Sequence, residues 1–242
     1  MRDHVIFLAA GRVLPQRSAG TVVARNIPYA AAGRFEAPLP HARWDGVRDG
    51  RIRGPVSPQL PSRLDGVTGA VVDGLLQSED CQVLSVAAPA DVQPGELPVL
   101  VWFHGGAYLT GGGEASKYDP ATLAARGRMV VVSVTHRLGV LGYLPPSHTG
   151  VHNLGLLDQI EALRWVQREI AAFGGDVGRV TIAGQSAGAD SVYCLMAASS
   201  TNDLFHRAIL SSAPLGLRSD RQPMIDALQA IVDEELGDGG GR

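Results

Sequence analysis

The chain has 242 residues, of which 45% are hydrophobic and 19% are charged. This is enough apolar material to bury a large core, so the composition excludes a disordered or low-complexity protein. The formal net charge of −3 gives no broad attraction to nucleic acid or to an anionic membrane. Neither is therefore expected as a partner.

The cysteines and the apolar runs exclude further classes. Cys81 and Cys194 lie in no CxxC or Cys/His spacing, so we expect neither a disulfide framework nor a bound metal. No apolar run approaches the 18 residues of a membrane-spanning helix. The short apolar run at 5–10 is broken by Gly11 and Arg12 and makes a poor signal peptide. The expected location is the cytoplasm.

In chain order, residues 13–80 mix Gly, Pro and Arg with short apolar runs, which predicts small edge strands and surface loops. From residue 81, buried strands alternate with helices. Strands are expected at 83–88, 99–103, 130–134, 180–183 and 208–210. Helices are expected at 118–128, from a cap at Asn153 to Gly174, at 187–198 and at 223–236. This alternation predicts a doubly wound, mostly parallel α/β sheet. We expect one domain over residues 1–236 and a disordered tail at 237–242.

The string Gly184-Gln185-Ser186-Ala187-Gly188 lies between a predicted strand and a predicted helix. A serine on a sharp turn there projects its hydroxyl above the sheet, and small residues on both sides let strand and helix approach closely. The N-terminus of the helix and the amide of Ala187 would face the oxygen of an attacked carbonyl. The pattern therefore predicts that Ser186 is a nucleophile.

A second string, His104-Gly105-Gly106, follows the predicted strand at 99–103. Paired glycines leave backbone N–H groups open, which is what an oxyanion hole requires. A histidine beside such glycines usually orients the loop, so we do not expect His104 to act as the catalytic base.

These strings resemble the type-B carboxylesterase family of α/β-hydrolases, and the match runs from about Ser18 to Gly216. It includes the segments 26–30, 44–47, 78–81, 136–139, 153–159, 173–176 and 180–182. The resemblance implies an α/β-hydrolase fold, no cofactor, and hydrolysis of a small-molecule carboxylic ester through an acyl-enzyme.

Carried over by position, Ser186 is the nucleophile, and Gly105, Gly106 and Ala187 supply the oxyanion hole. The resemblance also implies two buried structural ion pairs, one between Arg34 and Glu79 and one between Arg137 and Asp158. Several positions depart from the family pattern, among them Gln185, which stands where glutamate is usual, and the loop 30–34, which is shorter than in most relatives. Ser57 stands where many relatives carry a cysteine that pairs with the position of Cys81, and His136 stands where tyrosine is usual.

Relatives of this family are about twice as long and carry their catalytic acid and histidine in the second half. The resemblance therefore implies that the C-terminal strands are missing here and that the acid and histidine have no matching positions. His206 precedes the strand at 208–210 and is expected at the opposite edge of the sheet, whereas His136 at least follows a neighbouring strand. The favoured interpretation is the N-terminal half of such an esterase, with the nucleophile and the oxyanion hole present. Two alternatives remain open: a non-catalytic or partner-dependent hydrolase-like module, for which a second chain would supply the acid and the histidine, and a truncated gene product with no function of its own.

Overall fold

The computed structural model describes residues 5–18, 20–218 and 221–236. Its strands are β1 Ile6–Phe7, β2 Arg12–Ser18, β3 Thr21–Pro28, β4 Ala30–Ala31, β5 Leu39–Pro40, β6 Val47–Gly50, β7 Val83–Pro89, β8 Leu97–Phe103, β9 Val130–Val134, β10 Gly175–Gln185 and β11 Arg207–Ser211. Its α-helices are α1 Asp65–Thr68, α2 Ala121–Gly127, α3 Gly139–Tyr143, α4 Leu154–Glu169, α5 Ala187–Ala197 and α6 Gln222–Leu236. Each strand and helix expected after residue 81 is present; β9 has the expected bounds, and the others have shifted ends.

The central sheet is mixed. Its strand order is β1-β2-β3-β7-β9-β8-β10-β11, and β6 pairs with β2. The strands β9, β8, β10 and β11 are parallel, as expected, whereas the pairs from β1 to β9 on the other side are antiparallel. Parallel strands place their carboxyl ends at one edge, so β8, β9 and β10 all deliver their following loops to the same side.

The expectation of only edge strands and loops before residue 80 is wrong for β3, which lies between β2 and β7 and is almost wholly buried. The polar residues of β3 make its burial hard to predict from the sequence. Arg25 reaches Asp119 at 2.7 Å, and the register shifts between Ala24 and Ile27. Asp119 and the paired strand β7 are far from β3 along the chain, so the local sequence pattern of β3 does not predict a buried strand.

Helices cover both faces of the sheet. Val131 of β9 packs in one cluster with Ala124 of α2, whereas Val132 packs in the larger cluster with Leu163 of α4 and Val192 of α5. Successive residues of a strand point to opposite faces. It follows that α2 lies on one face and that α4 and α5 lie on the other.

The N-terminal end of α4 differs from the expectation, and the C-terminal end agrees with it. Asn153 has a left-handed backbone (φ 54°) and makes no side-chain cap hydrogen bond. Its carbonyl instead accepts hydrogen bonds from the amides of Leu156 and Leu157. At the other end a 3-10 turn, Ile170–Phe173, stops at Gly174 with φ 85°, as the glycine predicts.

In the part of the chain that the structure describes, no helix is long and apolar enough to cross a membrane. The cytoplasmic location and the single domain over residues 1–236 stay predictions. The tail at 237–242 lies outside the described residues.

Candidate active site

Ser186 occupies a sharp turn between β10 and α5. Its backbone has φ 55° and ψ −123°, a region that costs a non-glycine residue strain and is frequent at functional sites. A Cβ on Gly184 would overlap the backbone of Gly188, and a Cβ on Gly188 would lie 2.7 Å from the His104 carbonyl oxygen. The two glycines are thus required for the close approach of strand and helix, as the sequence predicts.

The backbone of Ser186 is anchored on both sides of the turn. Its amide donates to the Ser211 carbonyl of β11 at 2.9 Å, and its carbonyl accepts from the Asp190 amide in the first turn of α5 at 2.9 Å. The residue itself remains partly exposed. The turn is therefore fixed while the hydroxyl stays within reach of a small molecule.

The glycine loop that follows β8 lies against this turn. A Cβ on Gly105 would lie 3.3 Å from the Cβ of Ser186. Gly106 has φ 125°, and its carbonyl accepts from the Leu109 and Thr110 amides at 3.0 Å each. Among the residues that the structure describes, the amides of Gly105, Gly106 and Ala187 donate to no backbone or side-chain acceptor. The segments that meet at Ser186 therefore carry three backbone N–H groups that have no acceptor among the described residues.

His104 is buried beneath the glycine loop and is neutral. Its Nδ1 lies 2.8 Å from the Gly105 carbonyl oxygen, and its ring stacks on His136 with 4.6 Å between centroids. Burial, helped by nearby Lys117 and opposed by the Gly105 carbonyl, lowers the pKa of His104 to about 4. This geometry agrees with the expectation that His104 orients the loop.

His136 lies at the carboxyl end of β9 but is committed elsewhere. It is fully buried, and burial, followed by the neighbouring His104, holds its pKa well below the usual histidine value. Its Nε2 lies 3.1 Å from Nε2 of Gln159 on α4. Within the described ranges no histidine, aspartate or glutamate side chain hydrogen-bonds the Ser186 hydroxyl.

His206 lies at the far end of β10, as expected. Its Nδ1 accepts from the Val180 amide at 3.3 Å, and its own amide donates to the Val180 carbonyl. Val180 precedes Ser186 by six residues along an extended strand, a span of about 20 Å. A general base must lie about 3 Å from the proton that it removes, so His206 does not serve Ser186.

With this geometry in hand, comparisons with known proteins fix the family. A family model described as "Carboxylesterase family" matches residues 9–230. The chain belongs to this family. It is 48% identical over 89% of its length to a probable N-octanoylanthranilate hydrolase of Rhodococcus erythropolis, and 40% identical over 88% of its length to a para-nitrobenzyl esterase of Bacillus subtilis.

Solved structures give the same answer for the fold. The chain superimposes on a thermophilic PNB esterase with a TM-score of 0.85 and 37% identity, covering 97% of this chain and 49% of that one. This confirms the α/β-hydrolase fold class. The chain spans 47% and 44% of the two curated relatives, which is about half of their length.

One of the two predicted ion pairs is buried at the site. Arg137 holds Asp158 through Nη2–Oδ1 at 2.7 Å and Nε–Oδ2 at 2.9 Å, and its amide donates to the same carboxylate. The two side chains are 3% and 0% exposed. Arg137 follows His136 and Asp158 precedes Gln159, so two adjacent contacts tie the end of β9 to α4.

The other predicted ion pair forms but is not buried, which corrects the expectation. Nε of Arg34 donates to Glu79 at 2.9 Å, and the side chains are 61% and 36% exposed. Arg34 lies just beyond the short strand β4, in a surface segment between β4 and β5. Because both side chains are exposed, water solvates both charges and the pair contributes little to stability.

Sequence reasoning missed the buried carboxylate of Glu114. It accepts hydrogen bonds from the Gly54 amide at 3.1 Å and the Ser85 hydroxyl at 2.7 Å. Its position after Gly111-Gly112-Gly113 was the available signal, because such glycines let the chain enter a crowded site. Cys81 is a buried free cysteine, and the Ser57 hydroxyl accepts a hydrogen bond from the Leu138 amide at 3.1 Å. No group of three or more His, Cys, Asp or Glu in the described ranges could hold a metal ion.

Proposed function

We propose that this chain carries the nucleophile and the oxyanion hole of a carboxylic-ester hydrolase that works through an acyl-enzyme on Ser186. The observation that carries the proposal is the strained Ser186 turn with the uncommitted amides of Gly105, Gly106 and Ala187 in the segments around it. Membership of the carboxylesterase family supports it. The turn is then a nucleophile elbow.

In the proposed reaction the Ser186 hydroxyl oxygen attacks the carbonyl carbon of a small-molecule ester and passes its proton to a general base, the histidine that the proposal requires, which later returns it to the leaving alcohol. The carbonyl oxygen takes the negative charge and accepts hydrogen bonds from the three amides. The ester C–O bond then breaks, and the alcohol leaves with a proton. Water hydrolyses the serine ester, which releases the carboxylic acid and restores the hydroxyl. None of these steps requires a cofactor.

The first turn of α5 supports the charge on this oxygen. The helix has 11 residues and begins at Ala187, so its aligned peptide dipoles place partial positive charge beside the reacting centre. The turn is buried under β8 and the glycine loop, which reduces competition from water. Both effects favour the charged intermediate over the neutral ester.

The proposal requires an acid and a histidine, which we propose come from a segment that pairs with β11. β11 is the last strand of the sheet, and its Ile209 and Leu210 are 54% and 36% exposed. Met196 on the outer side of α5 is 55% exposed. An edge strand with uncovered apolar side chains is a ready site for another strand. Such a segment lies beside Ser186, because the amide of Ser186 is bonded to Ser211 of β11.

A non-catalytic binding module is the second candidate. The observation that favours it is that no described histidine contacts Ser186. It predicts an inert hydroxyl at Ser186, whereas the esterase proposal predicts a hydroxyl that a carbonyl mimic can acylate or phosphonylate.

The discriminating experiment is incubation of the polypeptide with a fluorophosphonate, followed by mass spectrometry of the peptide that contains Ser186. We expect covalent label on Ser186 that exceeds label on exposed serines such as Ser147. The Ser186→Ala variant should take up only the background. An oxyanion hole without the histidine still leaves a rate about 10³–10⁴ over water, so equal labelling of Ser186 and Ser147 would reject an oxyanion hole at Ser186 and leave the binding module.

A further inference from the structure

A chain of side-chain contacts connects the glycine loop to the helix that begins after Ser186. The ring of His104 stacks on His136 with 4.6 Å between centroids and 25° between planes. His136 contacts Gln159 of α4 at 3.1 Å, and the same Gln159 nitrogen lies 3.2 Å from the Ser191 hydroxyl of α5. His104, His136, Gln159 and Ser191 are all buried.

The first contact in this chain determines where one amide points. A carbonyl oxygen only accepts hydrogen bonds, so Nδ1 of His104 carries the proton and donates it to the Gly105 carbonyl at 2.8 Å. That carbonyl and the amide of Gly106 belong to one planar peptide unit and point in opposite directions. Holding the Gly105 carbonyl on His104 therefore directs the Gly106 N–H away from the ring.

The plane of the His104 ring is set by its neighbours. His136 stacks on it, Tyr118 lies roughly parallel to it at 6.5 Å, and Gly111 packs so closely that a Cβ there would lie 2.6 Å from Nδ1. A rotation of the ring would move Nδ1 off the Gly105 carbonyl. His136 makes the shortest of the ring contacts to His104, and it stands where the family usually has tyrosine.

His136 is itself held from the side of α4. An amide nitrogen only donates, so Nε2 of His136 is the acceptor from Gln159 and the ring is the neutral tautomer with its proton on Nδ1. The neighbouring Arg137–Asp158 pair fixes the backbone at this point. Through the His136 ring, the positions of α4 and α5 therefore influence the position of His104.

We propose that His136 is a positioning residue: by stacking on His104, and through Gln159 and Ser191, it keeps the loop that carries the Gly106 amide in register with the helix that follows Ser186. The inference rests on the proposed function, because the direction of the Gly106 amide matters only if it meets a developing oxyanion. A displacement of about 1 Å at a catalytic group costs about a hundredfold in rate.

The first test measures the conformation of the glycine loop by NMR and needs no chemical reaction. NMR of the 15N-labelled polypeptide at pH 7 should show neutral His104 with its proton on Nδ1 and a single sharp Gly106 amide resonance. His136→Leu should shift or broaden the Gly106 resonance, while His136→Phe, which keeps a flat ring, should restore it. His152→Leu, at an exposed histidine, is the matched control and should change neither signal.

The second test measures the reactivity of Ser186. The rate of phosphonylation by the fluorophosphonate should fall about tenfold or more in His136→Leu and recover to within about threefold of the original in His136→Phe. If His136→Leu does not fold, Ser191→Ala removes only the hydroxyl at the far end of the contact chain. It should lower the rate severalfold while the urea midpoint still reports a folded chain.

Unchanged Gly106 resonances and labelling rates in His136→Leu, or equal losses in the leucine and phenylalanine variants, would overturn the proposal. Absence of label on Ser186 in the unaltered chain would instead contradict the proposed function. In that case the His104 proton position and the Gly106 resonance still decide whether His136 positions the loop.

Discussion

The carboxyl ends of β8, β9 and β10 form a buried centre, whereas β11, α6 and the Arg34–Glu79 pair form an exposed margin. In the centre, Asp158 and His136 are within 2% of complete burial, while Leu228 of α6 is 44% exposed. Ser186 lies on the boundary, since Gly105 packs on one side of it and its amide is bonded to β11 on the other. Under the proposed function, the centre orients the oxyanion donors, and the margin is where further groups would have to be added.

The largest expected effect follows from this boundary. The 242-residue polypeptide alone should hydrolyse p-nitrophenyl acetate with a turnover below about 1 s⁻¹, the lower end for working enzymes. Loss of the histidine from a serine hydrolase triad costs about 10⁶ in turnover, and the oxyanion hole and binding leave about 10³–10⁴ over water. The measurement is the initial rate for the purified chain and for Ser186→Ala. A faster rate that disappears in Ser186→Ala would mean that a histidine does reach the serine.

The two ion pairs test the difference in burial directly. Asp158→Ala should lower the free energy of unfolding by about 3–5 kcal/mol, because it leaves the Arg137 guanidinium buried without its partner. Glu79→Ala, at the exposed pair, should cost at most about 1 kcal/mol. Urea unfolding of both variants gives the comparison, and equal losses would contradict the contrast between centre and margin.

The buried histidines should make stability depend on pH. The folded pKa of His104 is about 4, below its ordinary value of 6.5, so between these values the unfolded chain binds more protons. Stability should therefore be complete above about pH 6.5 and decline as the pH falls towards 4, with about 3 kcal/mol from His104 alone. His136 acts in the same direction.

The measurement for this prediction is the free energy of unfolding in urea at pH 7 and at pH 4.5. His104→Phe should flatten the decline, and His152→Gln, at an exposed histidine, should leave it as it is, since both variants share every carboxylate with the original chain. A decline that is just as steep in His104→Phe would refute the assignment.

The smallest effects concern two glycines. Gly188→Ala should destabilise the chain by about 1–3 kcal/mol, because the new methyl group would overlap the Phe103 carbonyl and lie 2.7 Å from that of His104. Gly216→Ala, where a Cβ meets nothing within 4 Å, should change stability by no more than about 0.5 kcal/mol. Thermal unfolding of the pair is sufficient, and a harmless Gly188→Ala would show that helix and strand do not need to approach so closely.

The sequence by itself determined the parts of this protein that depend on near neighbours. The Ser186 turn follows from Gly184 and Gly188 two residues away, and β9 has the bounds that its five-residue run predicts. The family strings likewise fixed which arginine meets which carboxylate. Each of these features is encoded within a few residues or within a motif, so it can be predicted without the structure of the remaining chain.

Only the tertiary structure decided burial and long-range pairing. It placed β3 between β2 and β7 and paired its Arg25 with Asp119, it left Arg34 and Glu79 exposed to solvent, and it stacked His104 on His136 although 31 residues separate them. It also left Asn153 without the capping role that its residue type suggests. The physical reason is the same in each case: desolvation and side-chain partnership depend on what packs from outside, and that is set by the arrangement of distant elements.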